Sequence, residues 1–298
     1  FVVFIVDPFN QGERDQYYDI PNRESVRACT RAHNMMGKQL ELLGEWFGAW
    51  RTWDKVRALD YLLTRQEIDP TRIGLTGNSG GGTMTTWTWA YEPRFTMAAP
   101  SCFVTSFLNN LENELPADSE QYPPGVIGAG LDMADFLIAR APNPTLMLGQ
   151  TYDFFDRRGL RQAYEEVKRF YQVLRAPSDS VGLFIGPQGH GYSRHNQEAM
   201  VSFFSRHSGK KRVTRLSKVE DLGDRLNVTP KGEVIPAGAK PVFEMIREKA
   251  DSLSTKRTKS TVSQLRAQLT RLLRLPKRTP IPHYRVLRAS SFAGGRVA

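Results

Sequence analysis

Three residues of the chain have types and an order that suit nucleophilic catalysis. Ser79 lies in the run Gly77-Asn78-Ser79-Gly80-Gly81, and Asp153 and His190 follow it along the sequence. A serine hydroxyl is a weak nucleophile unless a histidine takes its proton and a carboxylate orients that histidine. The order therefore predicts ester hydrolysis through an acyl-enzyme, with Ser79 as nucleophile, Asp153 as orienting acid and His190 as base.

The glycines that flank Ser79 indicate a sharp turn between a strand and a helix. Residues Arg72–Thr76 have a strand pattern, and the segment after the turn runs as a helix toward Trp89. In such a turn the nucleophile has a strained backbone and the strand and helix pack closely, which requires glycine neighbours. The amide of Gly80 is then predicted to face the oxyanion that forms during the reaction.

Several carboxylates compete for the role of the acid. Asp153 comes shortly after the predicted strand Thr145–Leu148, where an orienting carboxylate is expected. Asp156 is the nearest alternative, although its position before a predicted helix suits an N-cap better. Asp132 and Asp135 stay open as further alternatives.

His190 and His195 compete for the role of the base. His190 follows the predicted strand Val181–Ile185 and has a glycine on each side, which lets its loop fold over the nucleophile. His195 lies at the start of a predicted helix over Asn196–Ser205, where capping or surface exposure is the simpler explanation. We therefore predict His190 as the base.

The elements that must position these residues alternate between strands and helices over residues 1–207. This pattern predicts an α/β fold, a mostly parallel sheet with helices on both faces, and apolar residues at helical spacing indicate two crossover helices over Gly44–Arg65 and Leu160–Arg175. An irregular insertion over Phe103–Pro144 is predicted to form a lid. The predicted strands are Phe1–Val6, Arg72–Thr76, Thr96–Ala99, Thr145–Leu148 and Val181–Ile185.

Basic residues are concentrated toward the end of the 298-residue chain. Residues 1–208 contain 20 Lys and Arg against 24 Asp and Glu, whereas residues 209–298 contain 21 against 7. We predict a hydrolase domain over 1–208 and a basic extension over 209–298, with helical spacing at Val242–Leu253 and Val262–Leu273. A basic tail can bind nucleic acid, but a solvated linker and exposed helical faces explain the same composition, so nucleic acid is not a predicted partner.

Other classes of site have little support in the sequence. The glycines over 77–82 lack the ending of a P-loop and the spacing of a dinucleotide fingerprint. No His and Cys residues have the spacing of a zinc site, and two cysteines, Cys29 and Cys102, make no disulfide framework. No apolar run approaches the roughly 20 residues of a membrane-spanning helix. We predict no metal, no cofactor and no membrane partner.

Longer motifs surround these residues over about residues 1–205. They are Asp7–Arg14, Arg57–Leu62, Ile68–Ile73, Gly77–Gly82, Glu120–Gly125, Gly130–Asp135 and Asp153–Asp156. In combination they resemble the acetyl xylan esterase-like branch of the α/β-hydrolases. The resemblance implies a serine esterase that removes acetyl groups from plant polysaccharide or similar acylated sugars, and it suggests a secreted or periplasmic location.

The first residues lead us to expect a chain that begins inside the domain. Phe1–Val6 has the pattern of a strand, and the sequence starts with this segment and not with Met. In this superfamily the second amide of the oxyanion hole comes from a loop after an earlier strand, which is expected upstream of Phe1. One such donor is worth roughly 2.7–4 kcal/mol in the transition state, so the chain as given is expected to be weakly active or inactive.

Two other functions remain open at this stage. An oligopeptidase-like serine peptidase has the same fold and the same order of catalytic residues, but its catalytic domain ordinarily closes the chain. A non-catalytic binding module on the same scaffold is the third hypothesis. The presence of Ser79, Asp153 and His190 together favours the esterase over the binding module.

Overall fold

The computed structural model describes residues 1–17, 29–113, 117–211, 213, 215–217, 220, 222–274, 290–292 and 295–297. It divides into two compact units, Phe1–Asp251 and Ser252–Ala298. In chain order the helices and strands are α1 (Cys29–Glu41), α2 (Phe47–Leu62), β1 (Gly74–Asn78), α3 (Gly80–Tyr91), β2 (Met97–Ser101), α4 (Phe107–Glu112), α5 (Met133–Ile138), β3 (Thr145–Tyr152), α6 (Arg157–Val173), β4 (Val181–Gly189), α7 (Arg194–His207), α8 (Val242–Lys256), α9 (Val262–Leu272), β5 (Ser290–Phe292) and β6 (Gly295–Val297).

The first unit is built around a parallel sheet with the strand order β1-β2-β3-β4. Its register pairs Asn78 of β1 with Ser101 of β2, and Tyr152 of β3 with Gly189 of β4. All four strands therefore point the same way, and their carboxyl ends meet at one edge of the sheet. Four predicted strands are confirmed with shifted ends, and the last two extend by four residues toward that edge.

Helices cover both faces of the sheet, as predicted. Because side chains alternate along a strand, Ala98 and Met147 point to one face and join the core formed with α3 and α6. Their neighbours Ala99 and Leu148 point to the other face, where Phe204 of α7 packs against them. The alternation explains why these central strands have consecutive apolar residues, at Met97–Ala99 and Leu146–Leu148.

The predicted strand Phe1–Val6 is wrong in this structure. The segment has no strand partner, and side chains from Phe1 to Ile5 are exposed. Its observed contacts are a ring contact between Phe4 and Tyr61 and a hydrogen bond from Lys55 Nζ to the Val6 carbonyl. An apolar pattern becomes a strand only where another strand satisfies its backbone groups, and β1 pairs with β2 alone among the described strands.

The insertion predicted as a lid is packed into the core instead. Phe103 and Phe107 are buried, and so are Met133 and Leu137 around helix α5. The buried apolar residues hold this segment against the helices of one face. Within it, residues 114–116 lie outside the described part of the chain.

The first compact unit extends beyond residue 208, where the sequence suggested a boundary. Val242 and Ile246 of α8 are buried in a second core together with Met36 and Phe47. Glu13 accepts hydrogen bonds from the amides of Val228 and Thr229. Among the described residues, no helix combines the length and the apolar character that crossing a membrane requires.

The second unit, Ser252–Ala298, contains helix α9 and the short antiparallel pair β5 and β6. Thr261 caps α9, because its side chain accepts a hydrogen bond from the Gln264 amide while Gln264 reaches back to the Thr261 amide. This reciprocal arrangement satisfies two amides that have no partner inside the helix. The bounds of α8 and α9 confirm the predicted helices Val242–Leu253 and Val262–Leu273 to within three residues.

Candidate active site at the carboxyl edge of the sheet

Ser79 occupies a strained turn between β1 and α3. Its φ of 57° and ψ of −121° lie in a region that side chains rarely adopt, and its amide donates to the Ser101 carbonyl at 2.9 Å. A Cβ on Gly77 would lie 2.7 Å from backbone atoms of Gly81, and one on Gly82 would lie 2.2 Å from the Ser101 carbonyl oxygen. The two glycines are required because strand and helix approach too closely for any other residue.

Asp153 and His190 are joined by a hydrogen bond. His190 Nδ1 lies 2.8 Å from Asp153 Oδ1, and the Phe155 amide donates to the same oxygen at 3.0 Å. The Asp153 side chain is only 2% exposed, whereas that of His190 is 24% exposed. A buried carboxylate thus fixes the ring while the rest of the imidazole remains accessible.

The electrostatics of the pair favour an ionised acid. Burial alone would raise the pKa of Asp153, but hydrogen bonds from the His190 ring, the Cys102 thiol and the Phe155 amide outweigh it, so its pKa lies below the ordinary value. A carboxylate that stays negative keeps the proton of a neutral imidazole on Nδ1. The Nε2 atom is then free to accept a proton.

Each of four chemically active residues is the first after one of the four strands. Ser79 follows β1, Cys102 follows β2, Asp153 follows β3 and His190 follows β4. Parallel strands bring such positions to one edge of the sheet, where ligands bind in open α/β folds. The described residues show no hydrogen bond between the Ser79 hydroxyl and His190, an arrangement that often tightens only when substrate binds.

The Gly80 amide lies at the amino end of α3, directly after Ser79. Gly80 is the first residue of α3, and the first amides of a helix have no acceptor within it. The positive end of the helix macrodipole adds to the attraction for a negative oxygen at this place.

Two residues that the sequence did not indicate lie against this site. Phe154 stacks on the His190 ring, with 4.1 Å between centroids and 28° between planes. Cys102 is 1% exposed, and its sulfur lies 3.6 Å from the Gly191 carbonyl oxygen. Burial, with the nearby Asp153 carboxylate, raises the pKa of the Cys102 thiol to about 12, so this cysteine is no nucleophile at neutral pH.

The competing candidates have other uses in the structure. Asp156 caps α6 by accepting from the Arg158 amide, and Asp132 and Asp135 form the capping box of α5. His195 is exposed in the first turn of α7. None of these four residues contacts the Asp153–His190 pair in the described hydrogen bonds.

A buried charge cluster lies beneath the Ser79 turn. Glu120 is hydrogen-bonded to Arg51 and, at 3.0 Å, to His33 Nδ1, and these side chains are at most 3% exposed. His33 Nε2 lies 2.8 Å from the Phe9 carbonyl oxygen. Arg51 and Glu120 approach within 3.9 Å of the position that a Cβ on Gly80 would take. The cluster therefore lies against the Ser79 turn and connects it to the loop around Phe9.

An open cleft of about 510 Å³ borders the acid side of the site. Asp153 is part of its lining, whereas Ser79 and His190 are not. The exposed rings of Tyr152 and Phe154 can stack on a sugar face, and the polar side chains can bind hydroxyl groups. The lining residues are Asn113, Thr151, Tyr152, Asp153, Phe154, Asp156, Arg157 and Arg158.

Comparisons of sequence give matches that cover part of the chain. A family model described as the prolyl oligopeptidase family matches residues 34–126, which include Ser79 but not Asp153 or His190. The protein YtaP of Bacillus subtilis (strain 168), assigned as a hydrolase, is 33% identical over 72 residues, covering 24% of each chain.

Comparisons of structure extend the match over most of the chain. The methylesterase BT1017 has a TM-score of 0.59 and 21% identity, over 84% of this chain and 53% of that one. The chain thus spans about half the length of this solved structure. A carbohydrate esterase family 15 glucuronoyl esterase from Caldicellulosiruptor kristjansonii has a TM-score of 0.49 and 16% identity, over 60% of this chain and 55% of that one.

The four-stranded parallel sheet, the helices on its two faces and the structural similarity to BT1017 agree with the fold that the sequence motifs predict. The chain has the fold of the α/β-hydrolase superfamily.

Proposed function

We propose that this protein is a serine carboxylic-ester hydrolase that acts through an acyl-enzyme. The observation that carries the proposal is the hydrogen bond between Asp153 and His190, at the same sheet edge as the strained turn of Ser79. A nucleophile, a base and an orienting acid placed after neighbouring strands are the arrangement that ester cleavage needs.

The mechanism assigns one step to each residue. His190 Nε2 takes the proton of the Ser79 hydroxyl while the serine oxygen attacks the acyl carbonyl. Asp153 holds the imidazole tautomer and stabilises the imidazolium that forms. The Gly80 amide donates to the oxyanion. His190 then gives its proton to the leaving alcohol and activates the water that releases the acid.

The substrate class that we propose is an acylated carbohydrate, with acetylated xylan as the first candidate. The motifs that resemble acetyl xylan esterases support it, as does the aromatic and polar lining of the cleft beside Asp153. Tyr152 is 76% exposed, a placement that offers a ring to a sugar rather than to the core. The name of the similar methylesterase also favours an ester as the bond that is cleaved.

Replacing the nucleophile tests the proposal. Ser79→Ala should lower kcat for an acetyl ester by about 10⁴-fold or more, measured with 4-nitrophenyl acetate and with acetylated xylan. Ser178→Ala is the matched control, since Ser178 is exposed and remote from the Asp153–His190 pair, and it should retain full activity. If Ser79→Ala hydrolysed the ester at the original rate, another nucleophile would have to be sought.

A serine peptidase is the second candidate, favoured by the prolyl oligopeptidase family model over residues 34–126. Amides have a poorer leaving group than esters, so a peptidase must protonate the amine efficiently through His190. Assaying a proline-containing peptide amide beside an acetylated sugar separates the candidates. A higher kcat/KM for the peptide would reject the esterase in favour of the peptidase.

A further inference from the structure

Cys102, Asp153 and His190 form a cluster that the proposed reaction does not explain. Their Sγ, carboxylate oxygen and ring nitrogen all lie within 4.8 Å of one another. Thiolate, carboxylate and imidazole are the three ligand types that zinc prefers in proteins. The sequence gives no hint of this set, because its members come from the ends of three different strands.

The second oxygen of Asp153 is an independent indication of a ligand. Asp153 Oδ1 accepts from His190 and Phe155, whereas Oδ2 is buried and accepts from no N–H or O–H group of the described residues, so that the Cys102 thiol, a weak donor, is the polar group left beside the carboxylate. A buried carboxylate oxygen without an N–H or O–H donor is costly and calls for an explanation. A cation held between Oδ2, the sulfur and the ring would give this oxygen an ionic partner in place of the weak thiol donor.

We propose that these three residues bind a zinc-class divalent cation that inhibits the enzyme. The inference rests on the proposed function, since the metal would occupy its acid and its base. Zinc–ligand distances of about 2.0–2.3 Å require ligand atoms roughly 3.3–3.8 Å apart. The His190 Nδ1–Asp153 Oδ1 contact of 2.8 Å would therefore open by about 0.5 Å or more as the cation replaces the hydrogen bond. Water would complete a tetrahedral shell.

Binding of the metal would inhibit the enzyme because it changes which nitrogen of His190 carries the proton. The Cys102 thiol loses its proton to solvent, and the two anionic ligands balance the charge of the cation. His190 binds the metal through Nδ1, so its remaining proton moves to Nε2. The atom that must accept the Ser79 proton then already carries one. His190 then cannot act as the base.

Cobalt(II) tests binding without any activity assay, because cobalt–thiolate bonds absorb in the near ultraviolet. The unsubstituted chain and Ser79→Ala should both show the thiolate band, and zinc(II) should displace it. Cys102→Ser and Cys102→Ala should both lack it, and Cys29→Ser, the matched thiol control, should retain it. Circular dichroism establishes that each variant is folded. The binding proposal is overturned if no band forms, if it survives both Cys102 substitutions, or if Cys29→Ser removes it.

Activity tests the inhibitory half separately. Zinc(II) should inhibit ester hydrolysis by the unsubstituted protein, and Cys102→Ser should raise the half-inhibitory zinc concentration about tenfold or more, each protein being compared with its own rate in the absence of zinc. Equal inhibition of both proteins would overturn inhibition through Cys102. A cobalt band together with ester hydrolysis that Ser79→Ala leaves unchanged would instead refute the proposed function while leaving the metal site intact.

Discussion

At the scale of single residues, the site combines a strained backbone with a buried charge. Ser79 is held at a φ of 57° by its hydrogen bond to Ser101 and by the glycines around it. Asp153 is buried yet ionised, because the His190 ring and the Phe155 amide stabilise its negative form. Both features cost free energy that the surrounding structure supplies, and both lie where the proposed reaction needs them.

Removing the negative charge of the acid should disable the base. In Asp153→Asn the amide cannot hold the proton of His190 on Nδ1, so the ring adopts the wrong tautomer and kcat should fall about 10⁴-fold. Asp156→Asn is the control, because Asp156 caps α6 and does not contact His190. Kinetics of acetyl-ester hydrolysis measure both. A loss in Asp156→Asn as large as that in Asp153→Asn would contradict the assignment.

Asp118 should make stability depend on pH. Burial, with the nearby Glu120 carboxylate, raises the pKa of Asp118 to about 6. The folded chain therefore holds this proton at pH values where the unfolded chain has lost it, so stability falls as pH rises from about 4 to 6.

Asp118→Asn checks this dependence. The substitution should leave the free energy of unfolding unchanged near pH 4 and raise it by about 1–2 kcal/mol at pH 7.5, somewhat below 1.36 kcal/mol per pKa unit because Asp118 keeps some contact with water. Urea unfolding at the two pH values measures the difference. An equal change in the free energy of unfolding at both pH values would show that the charge of Asp118 is not the cause.

At the scale of elements, the Arg51–Glu120–His33 cluster holds together parts of the chain that are far apart in sequence. Arg51 comes from α2, His33 from α1 and Glu120 from the segment before α5. His33 also reaches the Phe9 carbonyl oxygen. The cluster thus joins two helices and the first loop directly under the turn that carries Ser79.

Removing the negative charge of this cluster should lower the stability of the protein. Glu120→Gln keeps the shape but leaves the Arg51 charge buried without a counter-ion, which should lower the free energy of unfolding by about 3–5 kcal/mol. Glu112→Gln, at an exposed position of α4, should change it by less than about 0.5 kcal/mol. Adding Arg51→Met to Glu120→Gln should recover part of the loss. A double variant with fully additive losses would contradict an ion pair.

At the scale of the whole molecule, the compact first unit reaches past the sheet and its helices. Glu13 binds the amides of Val228 and Thr229, and Gln16 accepts a hydrogen bond from the Val242 amide. Ile246 completes the apolar core around Met36 and Phe47. Residues up to Asp251 therefore contribute to the stability of the same unit that carries the candidate site.

Truncating a buried residue of α8 should reveal this contribution. Ile246→Ala should lower the free energy of unfolding by about 2–4 kcal/mol through lost burial and a residual cavity. Met245→Ala is the matched control on the same helix, since Met245 is 41% exposed and should change stability little. Denaturant unfolding compares them. Equal, small effects would show that α8 is not part of the cooperative unit.

The sequence predicts much of this architecture, because local patterns determine it. Short strand-like runs between helical patterns locate four of the strands, and the glycines around Ser79 indicate the turn. It does not predict contacts between distant residues. His33 and Glu120 are 87 positions apart, and no local pattern links Cys102 to Asp153. The strand predicted at Phe1–Val6 fails for a related reason, since strand formation depends on a partner that apolar character alone does not provide.

The central claim is that Ser79 carries the acyl group during turnover. Rapid quenching of the protein with 4-nitrophenyl acetate, followed by peptide mass spectrometry, measures it directly. The account predicts an acetyl adduct on Ser79, no adduct in Ser79→Ala, and slower formation in Asp153→Asn. An acetyl group found on another side chain at the rate of turnover, with Ser79 unmodified, would contradict the account.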